Sequence, residues 1–540
     1  MRSNQKIIIW LLNLFLVQMI LTACMPLHQE YKVPQETGDD WTTASLEDVG
    51  MMREPIDEMF SFLSEADHHS INSVLVVKNG KLVLEAYYPG DDFAIGDELK
   101  FTEKSFTRDD LHFQASVSKS MTSLLFGIAM DRGSISDLDE KIFESFPEYR
   151  ALNSDEKGDI TLRHLLTMTD GFTWDEEAYP YTDHRNVLTQ MYYSTDPFNY
   201  ILEKPLMNLP GEKFNYQSGT TNLLGEIIQR KTGSSLEDYA GKTLFAPLGI
   251  TEYHWDGYYH FPESAMASSL LYLKPRDMAK IGQMVLQEGE WEGEQIISRE
   301  WIHEATAEQI QLSKMLSPVF EETGYGYQWW RGKFSNGNTD VIFAGGWGGQ
   351  FIFIIPDLDM VVVLTGSDFS GNYTVPLGVV NQYILGAVYG NEQSENDFSY
   401  GVTLFVPVDT EDMISMHSGP GIEFAITGEV RKGVEYQITE WKPGESLDQA
   451  WLQIEDVGWI PLSAVDLLSH GVIDINDASA DDFWVKGNFA NLPVYSAPPD
   501  GKNFFQRNWF IFFIIISTAS ILLAYWIRKQ QRKILSSDVV

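Results

Sequence analysis

Ser116-Val117-Ser118-Lys119 sets a hydroxyl and an amine three residues apart, ahead of an apolar run from Ser120 to Asp131. On a helix, residues so spaced share a face, with Cβ atoms about 5–6 Å apart. A serine hydroxyl is a weak nucleophile until its proton is removed. An amine in a dry pocket, its pKa lowered by desolvation, can remove it. A helix N-terminus adds free N–H groups and positive partial charge beside the point of attack. The string S-x-x-K occurs twice more: Ser3 to Lys6 lies in a basic N-terminal segment, and Ser154 to Lys157 lies among acidic and polar residues. Only the copy at Ser116 is followed by Met121, Leu124, Leu125, Ile128 and Ala129, apolar at helical spacing.

Such a pair needs a third group to carry the proton to the leaving atom, and donors for an oxyanion. Tyr216, in Pro210-Gly211-Glu212-Lys213-Phe214-Asn215-Tyr216-Gln217-Ser218-Gly219, precedes an apolar helix from Asn222 to Gln229. A phenol on that loop can enter a cleft, and Lys119 nearby is expected to lower its pKa so that it acts as acid or base. Taken alone, as one of 24 tyrosines, Tyr216 fits an ordinary core aromatic better than a catalytic phenol. Gly345-Gly346-Trp347-Gly348-Gly349 gives backbone free to approach a ligand, and its N–H groups with that of Ser116 form an oxyanion candidate. The same glycines also fit a tight turn or bulge entering an edge strand. His164 is read as structural and the pair His68-His69 as surface. Neither G-x-S-x-G nor H-E-x-x-H is present, which disfavours an α/β-hydrolase triad or a zincin. No cofactor and no metal is expected.

The elements that must position these residues follow from pattern. Ser73 to Val77 and Lys81 to Leu84 are joined by Asn79-Gly80, a strong hairpin signal. A mostly helical middle follows, with turns at Gly133, Pro147, Gly171, Pro210 and Gly233, then helices at Asp277–Leu286 and Ser298–Ala307. Strand character returns at Tyr325–Trp330, Phe351–Ile355 and Met360–Leu364. The expected fold is α+β, one antiparallel sheet built from both ends of the segment and covered by helices.

With 540 residues and 44% hydrophobic content the chain has room for several domains. A net charge of −39 argues against nucleic acid as a partner, because phosphate binding needs clustered cations. Cys24 is the only cysteine, so internal disulfides and Cys-based metal sites are excluded. Arg2 and Lys6, the apolar run Ile7 to Leu21, and Leu21-Thr22-Ala23-Cys24 form an export signal. The last four resemble a bacterial lipobox, which implies a lipid on Cys24. An ordinary signal peptide or an uncleaved anchor is the other reading. Trp509 to Ile527 is uncharged and long enough to span a bilayer, and Arg528, Lys529, Arg532 and Lys533 place the C-terminus in the cytoplasm. The layout expected is signal 1–23, spacer 24–45, catalytic domain 46–395, a small β domain 402–467, stalk 468–507, transmembrane helix 508–527 and tail 528–540. The setting is a bacterial cell membrane with the catalytic domain outside.

Gln114 to Ser120, Ile160 to Gly171, Leu223-Leu224-Gly225, Pro247 to Ile250, Arg276 to Gly282 and Tyr325 to Trp330 occur in an order that resembles serine hydrolases of the class C beta-lactamase type. That group takes in penicillin-binding peptidases, esterases and 6-aminohexanoate-dimer hydrolases. The resemblance covers roughly Leu46 to Asn391. It implies the beta-lactamase/transpeptidase fold, Ser116 as the acylated nucleophile, Lys119 as its proton partner and Tyr216 as the phenol of the second motif. Two positions depart from the pattern. Ser218 stands where Tyr-x-Asn has an amide, and Phe343-Ala344-Gly345-Gly346 lacks the cation that opens the third motif. A hydroxyl offers fewer hydrogen bonds than an amide, and the missing cation disfavours a substrate carboxylate. Met416 to Gly421, Gly433, Trp451 and Gly458-Trp459-Ile460 resemble a bacterial SH3-like domain, which implies a cell-wall ligand; a barrel that only stiffens the stalk fits as well.

Two functions follow. One is a membrane-anchored hydrolase acting on an ester, amide or peptidoglycan-related bond through acyl-Ser116, with Ser218, Gly346, Trp347 and Gly348 lining the substrate and oxyanion sites. The other is a binding protein that keeps this fold as a receptor for cell-wall material.

Overall fold

The computed structural model describes residues 30–65, 70–94, 100–176, 178–312, 320–369 and 373–390, together with eight strands between 402 and 486. No helix among the described residues is long and apolar enough to cross a membrane. Cys24, the export signal, His68-His69 and the segment 508–527 lie outside them.

The first unit centres on an eight-stranded sheet. Its strands are β1 (Ile71–Lys78), β2 (Lys81–Tyr87), β3 (Ile310–Leu312), β4 (Phe320–Tyr325), β5 (Trp330–Phe334), β6 (Thr339–Gly346), β7 (Gln350–Ile355) and β8 (Met360–Gly366). The spatial order is β3-β4-β5-β6-β7-β8-β1-β2, and every neighbouring pair is antiparallel. The N-terminal hairpin therefore pairs with the last strand, Val76 opposite Val362. Both ends of the segment do build one sheet. The β1–β2 turn uses left-handed backbone at Asn79 (φ 52°) and Gly80 (φ 71°), as a two-residue hairpin requires.

Period-two alternation divides each central strand between two apolar layers. Leu75, Val77, Ile352, Ile354, Val361 and Val363 face the larger core, which includes Met278 and Ile281 of a helix at Pro275–Leu286. Val74, Val76, Phe351, Phe353, Val362 and Leu364 face the other, closed by Ile56, Met59 and Phe60 of a helix at Glu54–Glu65. Burial on both faces explains why these strands read as unbroken apolar runs. Each fully buried Val, Leu or Ile contributes roughly 1.5–3 kcal/mol.

Two helices of the middle segment carry the chemistry: α1 (Val117–Asp131) and α2 (Ser218–Thr232). All residues of α1 from Val117 to Ala129 are buried, so it runs through the core instead of lying on it. Gly127 meets the Trp301 ring so closely that a Cβ there would fall 2.2 Å from it, and a Cβ on Gly225 of α2 would fall 2.4 Å from the Ala267 methyl. Glycines thus let both helices pack tightly. Short strands at His112–Phe113, His254–Trp255 and Leu271–Leu273 interrupt the expected helical middle.

The strand expected at Tyr325–Trp330 is instead a hairpin turn. Tyr325 ends β4, Trp330 begins β5, and the two pair across the turn. Gln328 takes φ 64° and the Gly326 N–H bonds Trp329 O at 2.8 Å. The aromatic content that mimics a strand serves burial, since Tyr327 and Trp329 are wholly inside.

The second unit is described by itself. In spatial order its sheet takes Ile426–Glu429, Ser415–His417, Gly458–Pro461, Trp451–Ile454, Glu435–Lys442, Val402–Phe405, Trp484–Lys486 and Asp466–Leu467. Only the last pair is parallel. The sheet thus draws in Trp484–Lys486 from the segment read as stalk.

Candidate active site

Ser116 is the N-cap of α1, and the residue before it is held in left-handed backbone, Ala115 at φ 46°. For a non-glycine residue this conformation costs on the order of 1–3 kcal/mol and persists only where the surroundings fix it. They do so here. Gln114 N–H bonds Leu271 O at 2.8 Å, and the N–H groups of Val117 and Ser118 bond Gln114 O and Ala115 O, each at 3.1 Å. One turn into the helix, Ser120 Oγ donates to Gln328 O at 2.7 Å and Thr122 Oγ1 to Ala267 O at 2.8 Å.

Lys119 Nζ lies 2.8 Å from Ser116 Oγ, 3.0 Å from Ser218 Oγ and 3.3 Å from Ser268 O. Only 2 % of Lys119 is exposed. The amine is therefore out of bulk water and aimed at the hydroxyl, as the spacing of three on one helix predicts.

Tyr216 comes from the loop that enters α2. Its neighbours tie that loop to residues 168–176. Asn215 N–H bonds Met168 O at 2.9 Å, Asn215 Nδ2 bonds Trp174 O at 2.9 Å, and Gln217 Nε2 bonds the buried Asp170 carboxylate at 2.8 and 3.0 Å. Gly171 (φ 85°) lets the two segments touch, because a Cβ there would fall 2.2 Å from Asn208 O. The phenol so held interacts with the Ser116 hydroxyl. Its ring stacks on Trp330 at 5.3 Å and faces Lys119 Nζ at 4.8 Å.

One expectation about Tyr216 is corrected. Burial, reinforced by the neighbouring Tyr325 and Glu176, pushes the phenol well above its usual range, and the interaction with Ser116 only partly opposes this. The direction is up, not down. The group keeps its proton and suits the role of acid, not base.

Gly345 and Gly346 end β6, and Trp347 to Gly349 form the turn into β7, with Gly348 at φ 90° and Gly349 at φ 91°. The strands flanking it are interior to the sheet, so the edge-strand alternative does not hold. Gly346 is pressed against the nucleophile's backbone: a Cβ there would fall 2.4 Å from Gln114 O and 3.0 Å from Ser116 N. Trp347 anchors an aromatic wall beside it, 4.7 Å from Phe369, 5.2 Å from Tyr181 and 5.5 Å from Phe93. Its Nε1 donates to Phe369 O at 2.9 Å. Ala344, within the stretch that lacks the expected cation, is buried. His164 sits elsewhere, closing a capping box with Thr161.

Glu176 escaped the sequence reading. It is 2 % exposed, and it accepts from Ser218 N–H at 2.8 Å, Trp174 Nε1 at 2.7 Å and Ser218 Oγ at 3.1 Å. Its place after Gly171 and Trp174, 42 residues from Ser218, carries no periodic signal. Among the described residues no group of three or more His, Cys, Asp and Glu is placed to hold a metal ion.

The chain is 25% identical over 310 residues to a 6-aminohexanoate-dimer hydrolase of Paenarthrobacter ureafaciens, covering 55% of this chain and 72% of that one. It is 30% identical over 154 residues to a monacolin J acid methylbutanoyltransferase of Aspergillus terreus, and there spans only 36% of the relative's length and 26% of its own. The fold matches that of an octameric penicillin-binding protein homologue from Pyrococcus abyssi at a TM-score of 0.50 and 18% identity, over 75% of this chain and 99% of the other. The family described as Beta-lactamase matches residues 63–376, more than half of the sequence. With a beta-lactamase/transpeptidase-like sheet-and-helix fold and this match, the chain belongs to the beta-lactamase family of serine hydrolases.

Proposed function

We propose that the protein cleaves an ester or amide through an acyl-Ser116 intermediate. The observation that carries this reading is the buried Lys119 Nζ 2.8 Å from Ser116 Oγ, with the Tyr216 phenol on the same oxygen. Lys119 takes the Ser116 proton as Oγ bonds the carbonyl carbon. The oxyanion is held by the N–H groups of Ser116 and Trp347, a pairing supported by the close approach of Gly346, the residue before Trp347, to Ser116 N. As the bond to the leaving atom breaks, Tyr216 donates its proton to that atom and regains one from the Lys119 ammonium. Water then attacks the acyl carbonyl and gives a proton to the neutral Lys119, which passes it to Ser116 Oγ as the acid is released.

The substrate proposed is an ester or amide with an uncharged, apolar acyl group. The half-buried Trp347 and Phe369, backed by the buried Phe93, offer an aromatic surface for it. No cation in Phe343 to Trp347 answers a carboxylate, so carboxylate-bearing beta-lactams and peptidoglycan stems are poorer candidates. We further propose display outside a bacterial membrane, supported by the signals at 1–24 and 508–533, and an SH3-like role in cell-wall contact for 402–467, supported by Met416 to Gly421 and Gly458-Trp459-Ile460. The test is turnover by the purified full chain of matched p-nitrophenyl esters, D-amino peptides and nitrocefin, beside Ser116→Ala. Hydrolysis of apolar esters by wild type alone is expected. Equal rates in the two proteins would refute the assignment.

A further inference from the structure

Resting on the acyl-serine reading, a count of protons around Lys119 points one residue further out. A neutral amine has two N–H bonds and one lone pair. Ser268 O, at 3.3 Å, can only accept, so it takes one N–H. Ser218 Oγ, at 3.0 Å, has a single proton of its own. That proton is directed to Glu176 Oε1 at 3.1 Å, since a carboxylate only accepts. Ser218 therefore receives the second N–H. What remains for Ser116 Oγ, at 2.8 Å, is the lone pair, the orientation that removes a proton.

We propose that Glu176 is a positioning residue: by drawing the Ser218 hydroxyl proton away from Lys119, it turns the lysine lone pair toward Ser116. The arrangement persists through the reaction. When the Ser116 proton moves to Nζ, the ammonium donates to the same three oxygens and nothing must rotate, which is the condition for preorganised catalysis. The carboxylate, one hydroxyl away, also offsets the positive charge formed on Nζ in this dry site.

The second oxygen makes the idea sharply testable. Glu176 Oε2 receives two N–H donors that cannot accept, Trp174 Nε1 and the Ser218 amide. In Glu176→Gln the carbonyl must face them, which leaves the NH2 group facing Ser218 Oγ and the Tyr181 hydroxyl, both of which donate to Oε1 in the wild type and both of which can accept instead. Ser218 then accepts from residue 176 and turns its proton onto the Lys119 lone pair. One isosteric exchange inverts the chain of hydrogen bonds.

The experiment measures acylation of the full chain by p-nitrophenyl butyrate in stopped flow, with thermal unfolding, for wild type, E176Q, S218A and the double variant. E176Q is expected to lower acylation at saturating ester by about 10²-fold with KM within about threefold, the signature of misdirected catalytic groups rather than lost binding. S218A is expected to slow the same step, and E176Q to add less than about threefold in the S218A background, because the effect passes through that hydroxyl. A wild-type rate in E176Q, or losses that multiply in the double variant, would overturn the proposal. If E176Q does not fold, S218A decides it, and wild-type acylation there is equally fatal. A wild-type chain left unlabelled at Ser116 by a fluorophosphonate defeats the acyl-serine reading, and this proposal with it.

Discussion

Gly346→Ala adds one methyl group at the closest approach of β6 to the nucleophile. The new Cβ would lie 2.4 Å from Gln114 O and 3.0 Å from Ser116 N. Carbon–oxygen contacts settle near about 3.3–3.6 Å, so the strand must withdraw by about 1 Å. Neither neighbour is the free end of a side chain: both belong to the backbone turn fixed by Gln114 N–H to Leu271 O. Oxyanion donors work at about 2.7–3.1 Å, and losing one costs roughly 10²–10³ in kcat. The overpacking itself costs about 1–3 kcal/mol of stability. Burst kinetics with p-nitrophenyl butyrate, run well below the variant's own Tm, separate the two effects. A folded Gly346→Ala protein that acylates within threefold of wild type would refute the placement of the oxyanion site at this turn.

Tyr216→Phe removes the proton donor and is expected to lower kcat by roughly 10²–10⁴. Because burial raises the wild-type phenol, its protonated form persists through neutral and mildly alkaline pH, so a loss of kcat centred below about pH 10 and abolished by this substitution would contradict the assignment. Gly127→Ala drives a methyl into the Trp301 ring, 2.2 Å away, and should cost about 1–3 kcal/mol in denaturant unfolding while kcat of the folded fraction is kept. Burial holds the His112 imidazole down to about 3, below its ordinary 6.5. The folded state thus needs it neutral; its contribution is present above about pH 6.5 and is lost as pH falls, by roughly 1.4 kcal/mol per unit down to about 3. His112→Phe should therefore show a shallower decline of unfolding free energy between pH 6 and 4, and identical slopes would count against the argument.

How much was readable from the chain depends on the range of each interaction. Ser116 and Lys119 sit three apart on one helix, so their contact is local and the sequence displays it. Val74 to Val77 and Val361 to Leu364 advertise a buried sheet because both faces are covered, whereas Tyr325 to Trp330 deceived, since Gly326 and a left-handed Gln328 fold aromatic residues into a turn. Tyr216 was legible from its loop-before-helix setting and its family resemblance. Its proton affinity was not, because a neighbouring lysine can be read from sequence and the burial that outweighs it cannot. Glu176 reaches Ser218 across 42 residues through a loop with no periodicity, and only the packed fold shows that an acidic side chain there is enclosed.

The central claim is a covalent bond to one oxygen, and mass spectrometry of the intact chain after brief exposure to an activated ester tests it most directly. The account predicts a mass increase equal to one acyl group, located on the peptide bearing Ser116 and absent from Ser116→Ala. Turnover with the wild-type protein never modified, or acylation at another residue that survives the Ser116→Ala change, would contradict it.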